Sequence, residues 1–321
     1  MAVTVRPFGL EDLAACAHLL ADRHADHRRR VPALPMAYAD AGTSANVISA
    51  LHERASDAVV AVVDDAVVGY MIATHLNDTL WGSNRWVEPE GWAVRDLQVV
   101  RDLWAQLAHG WVQQGVTQFS AVVPWGDPAA AMWQRLGFGW QQAYGVRRTA
   151  APEPASTASS PTVLRPARAA DIPVLAELDH LMDVHLTRSP VFSLLTPISV
   201  AEATADWQES IADEEFSVWV AEESGVVVGS AVGCPITKSG MHQRLAGVPE
   251  AFMLASVSVL PQARGHGIGR ALGQRIIEVG AERGHEWIVT DWRVTNLEAS
   301  RAWEALGFEL SFMRMHRSIA R

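Results

Sequence analysis

The 321-residue sequence is poor in lysine and in cysteine. Lys238 is the single lysine among 26 basic residues, and the formal net charge is −10. The short arginine run at 28–30 has no long basic stripe beside it, so nucleic-acid binding is not predicted. The two cysteines, Cys16 and Cys234, lie far apart in apolar surroundings, which favours buried free thiols over a disulfide framework.

Membrane and metal features are also missing from the sequence. No run approaches the roughly 18 consecutive apolar residues of a membrane span. The first 20 residues carry early acids and no basic stretch before an apolar core, so no signal peptide is predicted and a cytoplasmic location is expected. His24 and His27 lie three residues apart without a third ligand in view, so no metal site is predicted.

The sequence repeats itself around a linker. Residues 149–161 are rich in Pro, Ala, Ser and Thr and contain no large apolar side chain, as in interdomain linkers. Arg6 and Asp12 precede an apolar helical pattern near the start of the chain. Arg165 and Asp171 precede a similar pattern after the linker, at the same spacing.

Later features recur in the same order. Hairpin-like apolar runs occupy 58–74 and 216–233, and the endings WQRLGF (133–138) and WEALGF (303–308) close the halves. Each half is predicted to run helix, hairpin, strand, helix, strand, helix, strand, which is a mixed α/β domain. The predicted organisation is a first domain, a linker and a second domain, at 1–148, 149–161 and 162–321.

Three alternating glycines mark the second half. Gly265, Gly267 and Gly269 lie between a predicted strand at 252–260 and a helical pattern that begins at Ile268. Backbone N–H groups at such a junction form an anion site, and glycine lets a phosphate approach them closely. The spacing fits neither a P-loop nor a dinucleotide fingerprint. A tight turn that only packs a helix against a sheet is the structural alternative.

Two patterns resemble a known family. The pattern VxPxxRGxGIG at 259–269 resembles the acyl-coenzyme A pyrophosphate loop of GNAT-family N-acyltransferases, and NxxAxxxWxxxGF at 296–308 resembles the last motif of that family. The resemblance covers residues 163–318. It implies two tandem domains of the GNAT type, each a central, mixed, mostly antiparallel splayed sheet flanked by helices.

The resemblance also implies a ligand and its contacts. Acetyl-coenzyme A would bind as co-substrate, with its pantetheine arm along the fourth strand, its pyrophosphate on the glycine loop and its remainder facing the last helix. The residues expected to contact it are Val257, Ser258, Val259, Arg264, Gly265, His266, Gly267, Ile268, Gly269, Arg270, Asn296 and Arg301.

The catalytic positions depart from the family pattern. Trp303 stands where the family commonly has a tyrosine that protonates the leaving thiolate, and an indole does not release its proton near neutral pH. Contact with the sulfur, a wall of the acyl pocket and a core position are all open for Trp303. Ala255 and Ser256 stand where many members have a glutamate. Candidate bases are therefore Glu250, Asp291 and His242, with a base acting through water and an Asp291–Arg293 ion pair as alternatives.

The first half lacks the glycine loop. Counting back from Gly115, which corresponds to Gly284, places Arg95 opposite Arg264 without a gap, and residues 96–100 replace the glycines. Bulky side chains and a carboxylate then occupy the phosphate position. The first domain is therefore predicted to be a degenerate domain without a cofactor site.

An enzyme is the favoured function. The resemblance implies an N-acetyltransferase that moves acetyl from acetyl-coenzyme A to an amine of a small molecule, as a monomer or homodimer. The alternatives are a protein N-acetyltransferase, an acyl-coenzyme A sensor without turnover, and a glycine turn with no cofactor.

Overall fold

The computed structural model describes residues 3–55, 57–78, 82–149, 162–193, 195–240 and 242–320. Apart from Thr149, the predicted linker lies outside these residues. The chain forms two compact units: the first consists of 1–143 with 244–247 and 311–321, and the second of 144–243 with 248–310.

The first unit contains four helices and a mixed sheet among its described residues. Its helices are α1 (Leu13–Arg30), α2 (Ala41–Glu53), α3 (Val99–Gln113) and α4 (Ala129–Arg135). Its strands are β1 (Thr4–Pro7), β2 (Asp57–Val63), β3 (Ala66–Asp78), β4 (Gly82–Val87), β5 (Trp92–Val94), β6 (Gln118–Pro124) and the beginning of β7 (Gly139–Arg148). The sheet runs β1-β2-β3-β4-β6, with β5 also paired to β3, and among the described residues of these strands only the β4–β6 pair is parallel.

Helices cover both faces of this sheet. Along β2, Val59 and Ala61 pack with α3 and α4 in one core cluster, whereas Val60 packs with α1 and α2 in another. Successive side chains of a strand point to opposite faces, so a strand buried on both faces reads as a continuous apolar run. The run AVVAVV at 58–63 is apolar throughout for this reason.

The second unit repeats the plan. Its helices are α5 (Ile172–Thr187), α6 (Val200–Ala212), α7 (Ile268–Glu282) and α8 (Leu297–Ala305). Its strands are β8 (Val163–Pro166), β9 (Ser217–Glu223), β10 (Val226–Pro235), β11 (Phe252–Val259), β12 (Trp287–Arg293) and the start of β13 (Glu309–Ser318). They run β12-β11-β10-β9-β8, and of these pairs, in the part of the chain that the structure describes, only β11 and β12 are parallel. The mixed, mostly antiparallel α/β fold is confirmed.

The repeated arginine–aspartate spacing forms the same ion pair in both units. Arg6 donates two hydrogen bonds of 2.7 Å to the carboxylate of Asp12. Arg165 donates bonds of 2.7 and 3.0 Å to Asp171, which also accepts the backbone N–H of Arg168 at 2.7 Å. Each pair joins the first strand of its unit to the following helix, which explains the recurrence in the sequence.

The predicted order of elements was incomplete at two places in each half. A short first strand, β1 or β8, precedes the first helix, and a second helix, α2 or α6, precedes the hairpin. A sequence signal for α6 was present, because Ser199 and Glu202 form a capping box at its start. The spacing of Ile268, Ala271, Leu272, Ile276 and Val279 predicts one apolar face on α7, but Ala271 is exposed.

The units differ from the two halves of the sequence in their last strands. From Ser311 onward β13 belongs to the first unit, where residues 312–318 pair antiparallel with β6. Strand β7 passes from the first unit into the second at Tyr144. The predicted boundaries, 1–148 and 162–321, stay a prediction, and a fragment that ends at 148 lacks the strand that pairs with β6.

Two sequence expectations concern burial and hydropathy. Cys16 and Cys234 are free and buried, as predicted, and burial raises the pKa of their thiols to about 12 and about 11. Among the described residues, no helix is long and apolar enough to cross a membrane.

Asp171→Asn tests the ion pair. The substitution removes a carboxylate that is 90% buried and doubly bonded to Arg165, and we expect it to lower the free energy of unfolding by about 1–3 kcal/mol at pH 7. Arg165 holds the pKa of Asp171 below its usual range, so this stabilisation is present above about pH 4 and is lost as the pH falls further. Thermal unfolding measures it, with the exposed Glu177→Gln on α5 as control. Equal melting temperatures for the two variants at pH 7 would contradict the assignment.

Candidate functional site

The site is built where two parallel strands separate. Phe252 pairs with Ile288 and Met253 with Val289, and there the pairing of β11 with β12 ends. The Thr290 hydroxyl donates to the Leu254 carbonyl at 2.9 Å, at the last point of contact. Residues 256–259 remain paired with β10 on their other edge. The predicted splay of the sheet is therefore present, and it leaves one backbone edge of β11 open.

A bulge lies at the start of the open edge. Val232 pairs with Ser256, but the next residue, Gly233, pairs with Leu254, so Ala255 is the extra residue in β11. The side chain of Ala255 is exposed. A bulge re-aims the strand and often adjoins a functional site. The family's glutamate position therefore faces solvent here but carries a methyl group and no carboxylate.

The glycine loop requires two of its three glycines for backbone reasons. Gly265 and Gly267 have φ angles of +83° and +81°, a conformation that other residues rarely adopt. A Cβ on either would have no heavy atom within 4 Å, so packing does not account for the absence of a side chain. Gly269 lies within α7, where a Cβ would make ordinary contacts of 3.7 and 3.8 Å with Val259 and Val257. The space above Gly265 and Gly267 is open to a ligand.

Positive charge converges on this open space. Helix α7 begins at Ile268 with Gly267 as its N-cap, and the first amides of a helix have no partner within it. Arg264 donates from Nε to the Val259 carbonyl at 3.1 Å and lies 3.6 Å from the carboxylate of Glu298, which is exposed. The side chains of His266 and Arg270 are exposed beside the loop. This arrangement suits a phosphate-bearing ligand.

The last helix begins and packs as its sequence motif predicts. The Asn296 side chain caps α8 by accepting the N–H of Ala299 at 3.2 Å, and Arg301 is exposed on the same helix. Trp303 is 7% exposed and packs edge-on against Phe308. A Cβ on Gly273 of α7 would lie 3.0 Å from the Trp303 ring, so the indole fills the space between α7 and α8.

The structure separates the candidate bases. Glu250 is exposed at the turn before β11, and its backbone carbonyl accepts a hydrogen bond from the His285 imidazole. Asp291 lies on β12, and its proximity favours the charged forms of both Arg293 and His242. Burial lowers the pKa of Arg293 to about 10 and lowers the pKa of His242, while Asp291 opposes both shifts. The half-buried Asp291 therefore interacts with the buried Arg293 and His242, and Glu250 does not belong to this group.

Further members of that environment come from a loop and from β7. Arg293 donates to the Ser193 hydroxyl at 3.0 Å, and the His242 ring lies 4.8 Å from the Tyr144 ring. His242 is 3% exposed, and burial keeps its imidazole neutral near pH 7.

A cleft beside the bulge contains residues that sequence analysis did not single out. Its volume is about 310 Å³, and we call it the acidic cleft. Asp179 and Asp183 of α5, Asp206 and Trp207 of α6, Val232 of β10 and Ser256 of β11 line it. A weak signal existed, because Asp179 and Asp183 share one side of α5 at i, i+4 spacing. Asp206 follows 23 residues later, so only the fold brings it near them.

The first unit has a shorter connection at the equivalent place. Gly69 pairs with Val94 as Gly229 pairs with Val259, so Val94 and Val259 correspond. Four residues, 95–98, join Val94 to α3, whereas eight residues, 260–267, join Val259 to α7. Helices α3 and α7 begin at Val99 and Ile268, each four residues after Arg95 and Arg264, so the gap-free correspondence of Arg95 with Arg264 agrees with the structure, and the four residues that the first unit lacks precede Arg95.

The bulge is also replaced in the first unit. Four residues, 88–91, form a 3-10 turn where the second unit has only residues 255 and 256. Within this turn Glu90 is 1% exposed and forms an ion pair of 3.0 Å with Arg244. Leu245 is 1% exposed in the core formed by α1 and α2. Side chains from the 244–247 segment thus occupy this part of the first unit.

Comparisons with known proteins agree with the geometry. Residues 184–308 match the model of the acetyltransferase (GNAT) family. Over 105 residues the chain is 30% identical to probable N-acetyltransferase family 8 member 5 of Mus musculus. That match spans 33% of this chain and 44% of the mouse protein, which is less than half of the length of either.

Solved structures resemble the chain over nearly its whole length. A GCN5-related N-acetyltransferase from Sphaerobacter thermophilus superposes with a TM-score of 0.58 at 18% identity, over 99% of this chain and 96% of that one. A tandem GNAT protein from the clavulanic acid biosynthesis pathway superposes with a TM-score of 0.50 at 15% identity, over 100% and 99% of the two chains. At such identities the likeness concerns the fold, which is that of a tandem GNAT protein. Residues 184–308 are thus similar to the acetyltransferase (GNAT) family, as the resemblance in the sequence implies.

Proposed function

We propose that the protein transfers the acetyl group of acetyl-coenzyme A to an amine of a small molecule by direct attack. A neutral amine nitrogen forms the new C–N bond as the C–S bond of the thioester breaks. The amine loses one proton, and the departing thiolate gains one. The second unit supplies the binding site. The proposed location is the cytoplasm, whose reducing conditions suit the two free thiols.

One juxtaposition supports this proposal. The open edge of β11 leads directly into the loop 264–267 and the first turn of α7. A strand edge offers unpaired amides and carbonyls to an amide-bearing arm, and a helix start offers N–H groups to a pyrophosphate. Coenzyme A carries both kinds of group in one molecule.

Different residues would hold the two ends of the ligand. Residues 257–259 would bond the pantetheine arm through their backbone. Arg264, the amides of residues 265–269 and Arg270 would hold the pyrophosphate, while Asn296 and Arg301 face the ligand from α8. Their contribution to the rate is the positioning of the thioester near the amine.

The bulge residues Ala255 and Ser256 carry no carboxylate that could take the proton of the amine. Asp291, which is half-buried, and His242, which is buried, are candidate bases from the sequence that lie near the end of β12. We propose that the proton leaves the amine through water toward this pair. Trp303 fills the space between α7 and α8, so we assign it to packing.

Gly267→Val tests the cofactor loop. The substitution places a branched side chain where a phosphate would approach, and we expect acetyl-coenzyme A to bind at least about tenfold more weakly. Gly225→Val in the β9–β10 turn is a matched control, since Gly225 has a φ of +83° and open space around its Cβ position. Both variants carry similar backbone strain. Isothermal titration of each folded variant measures the affinity, and unchanged binding by Gly267→Val would contradict the proposal.

The stoichiometry of binding tests the first unit. Because its connection is four residues shorter and lacks the glycines, we expect one acetyl-coenzyme A per full-length chain. Arg264→Glu should then abolish all measurable binding. Two equivalents for the wild type, or one remaining in the Arg264→Glu variant, would show that the first unit binds as well. The full chain is required because β6 pairs with β13.

Trp303→Phe separates packing from proton donation. The smaller ring leaves a cavity, so we expect a loss of about 1–3 kcal/mol of stability and a kcat within about threefold of wild type. Trp133→Phe in α4 is the matched control, because Trp133 is fully buried at the equivalent position. A kcat more than tenfold lower for Trp303→Phe alone, with acetyl-coenzyme A affinity retained, would assign the indole N–H to the reaction.

A further inference from the structure

The acidic cleft has the size and the position of a binding site for a small molecule. Its volume of about 310 Å³ lies at the lower end of the range for ligand pockets. Ser256 and Val232, which pair with each other at the bulge, form its strand side. The cleft therefore opens beside the edge of β11 along which the thioester would lie.

The charge of the cleft is negative and uncompensated. Asp179, Asp183 and Asp206 contribute three carboxylates, and the described residues that line the cleft include no lysine, arginine or histidine. None of the three forms an ion pair within the described parts of the chain. Asp183 accepts the backbone N–H of Ile198 at 2.9 Å, which fixes the start of the segment before α6.

Burial makes this charge costly without a partner. Desolvation, with smaller contributions from the nearby Asp183 and Asp206, raises the pKa of Asp179 to about 6, although the Trp207 side chain opposes the shift. Buried charges in proteins are ordinarily paired with an opposite charge. Among the described residues, no group of carboxylates, histidines and cysteines is arranged to hold a metal ion.

A second observation points into the same cleft. The Trp207 side chain is 5% exposed, and its indole N–H makes no hydrogen bond to a described protein group. It is directed at Asp179 without reaching hydrogen-bonding geometry. A buried donor without an acceptor is uncommon, and a ligand in the cleft would bring one within reach or draw Asp179 toward it. Trp207 and Met182 also supply apolar walls for an aliphatic chain.

We propose that the acidic cleft binds the acceptor of the acetyl group, and that this acceptor is a small diamine. The inference rests on the proposed acetyl transfer. The attacking nitrogen must be neutral, so the positive charge that the carboxylates hold belongs to a second amino group of the same molecule. Asp183 and Asp206 bind that ammonium group, while the neutral amine lies toward Ser256.

The test compares three amines that share one reacting group. They are 1,4-diaminobutane, 4-amino-1-butanol and 4-aminobutanoate, whose far ends are positive, neutral and negative. Release of coenzyme A thiol gives kcat/KM for each. We expect the diamine to exceed the amino alcohol by at least about tenfold, the loss typical of removing one charged hydrogen-bond partner, and the amino acid to react most slowly.

Asp206→Asn is the diagnostic variant, because Asp206 is exposed at the mouth of the cleft and its substitution spares the core. It should lower kcat/KM for the diamine about tenfold more than for the amino alcohol. Glu209→Gln, also exposed on α6 but outside the lining, should leave this ratio unchanged. Titration of the diamine into the protein loaded with coenzyme A measures binding without turnover.

The outcomes distinguish the two proposals. Turnover with equal rates for diamine and amino alcohol, or a faster rate with a peptide amine, overturns the diamine inference and leaves acetyl transfer standing. Diamine binding that Asp206→Asn weakens, without turnover of any amine, supports the cleft and overturns the proposed reaction. Neither diamine binding nor turnover overturns both.

Discussion

The separation of β12 from β11 after Met253 is the constraint on which the site depends. Once the pairing ends, residues 256–259 keep β10 on one edge and expose backbone groups on the other. Exposed strand edges are costly in a folded protein unless something covers them. Here the edge continues into the glycine loop and the start of α7, so strand edge, loop amides and helix terminus form one continuous surface. A ligand with amide and pyrophosphate groups would cover that surface.

The two units show that fold and ligand chemistry are separable. Both retain the arginine–aspartate ion pair, a bulge in the first hairpin, a capped last helix and a buried tryptophan in it. They differ where a cofactor would bind: the first unit is four residues shorter at the loop and two residues longer at the bulge. Glu90, at that longer bulge, is already paired with Arg244. The glycines of the second unit are thus not a requirement of the shared architecture.

Local sequence predicted the features that depend on neighbouring residues. The loop with Gly265 and Gly267 and the cap at Asn296 follow from spacing within one segment, and the structure contains both. The assignment of residues 312–318 to the first unit could not be predicted in this way, because the partner of a strand is not encoded in the strand itself. The acidic cleft also escaped prediction, since Asp179 and Asp206 come from different helices. The count back from the helix end matched Arg95 with Arg264, but it could not show the deletion, which lies between Val94 and Arg95.

Hydrogen–deuterium exchange on the full chain, with and without acetyl-coenzyme A, tests the central claim most directly. Amides that gain a ligand partner exchange more slowly, so the measurement reports which segments the cofactor covers. The account predicts slower exchange at 256–259 and 264–270, with no change at the equivalent first-unit segment, 94–100. Slower exchange at 94–100, or unchanged exchange at 264–270 with saturating ligand, would contradict it.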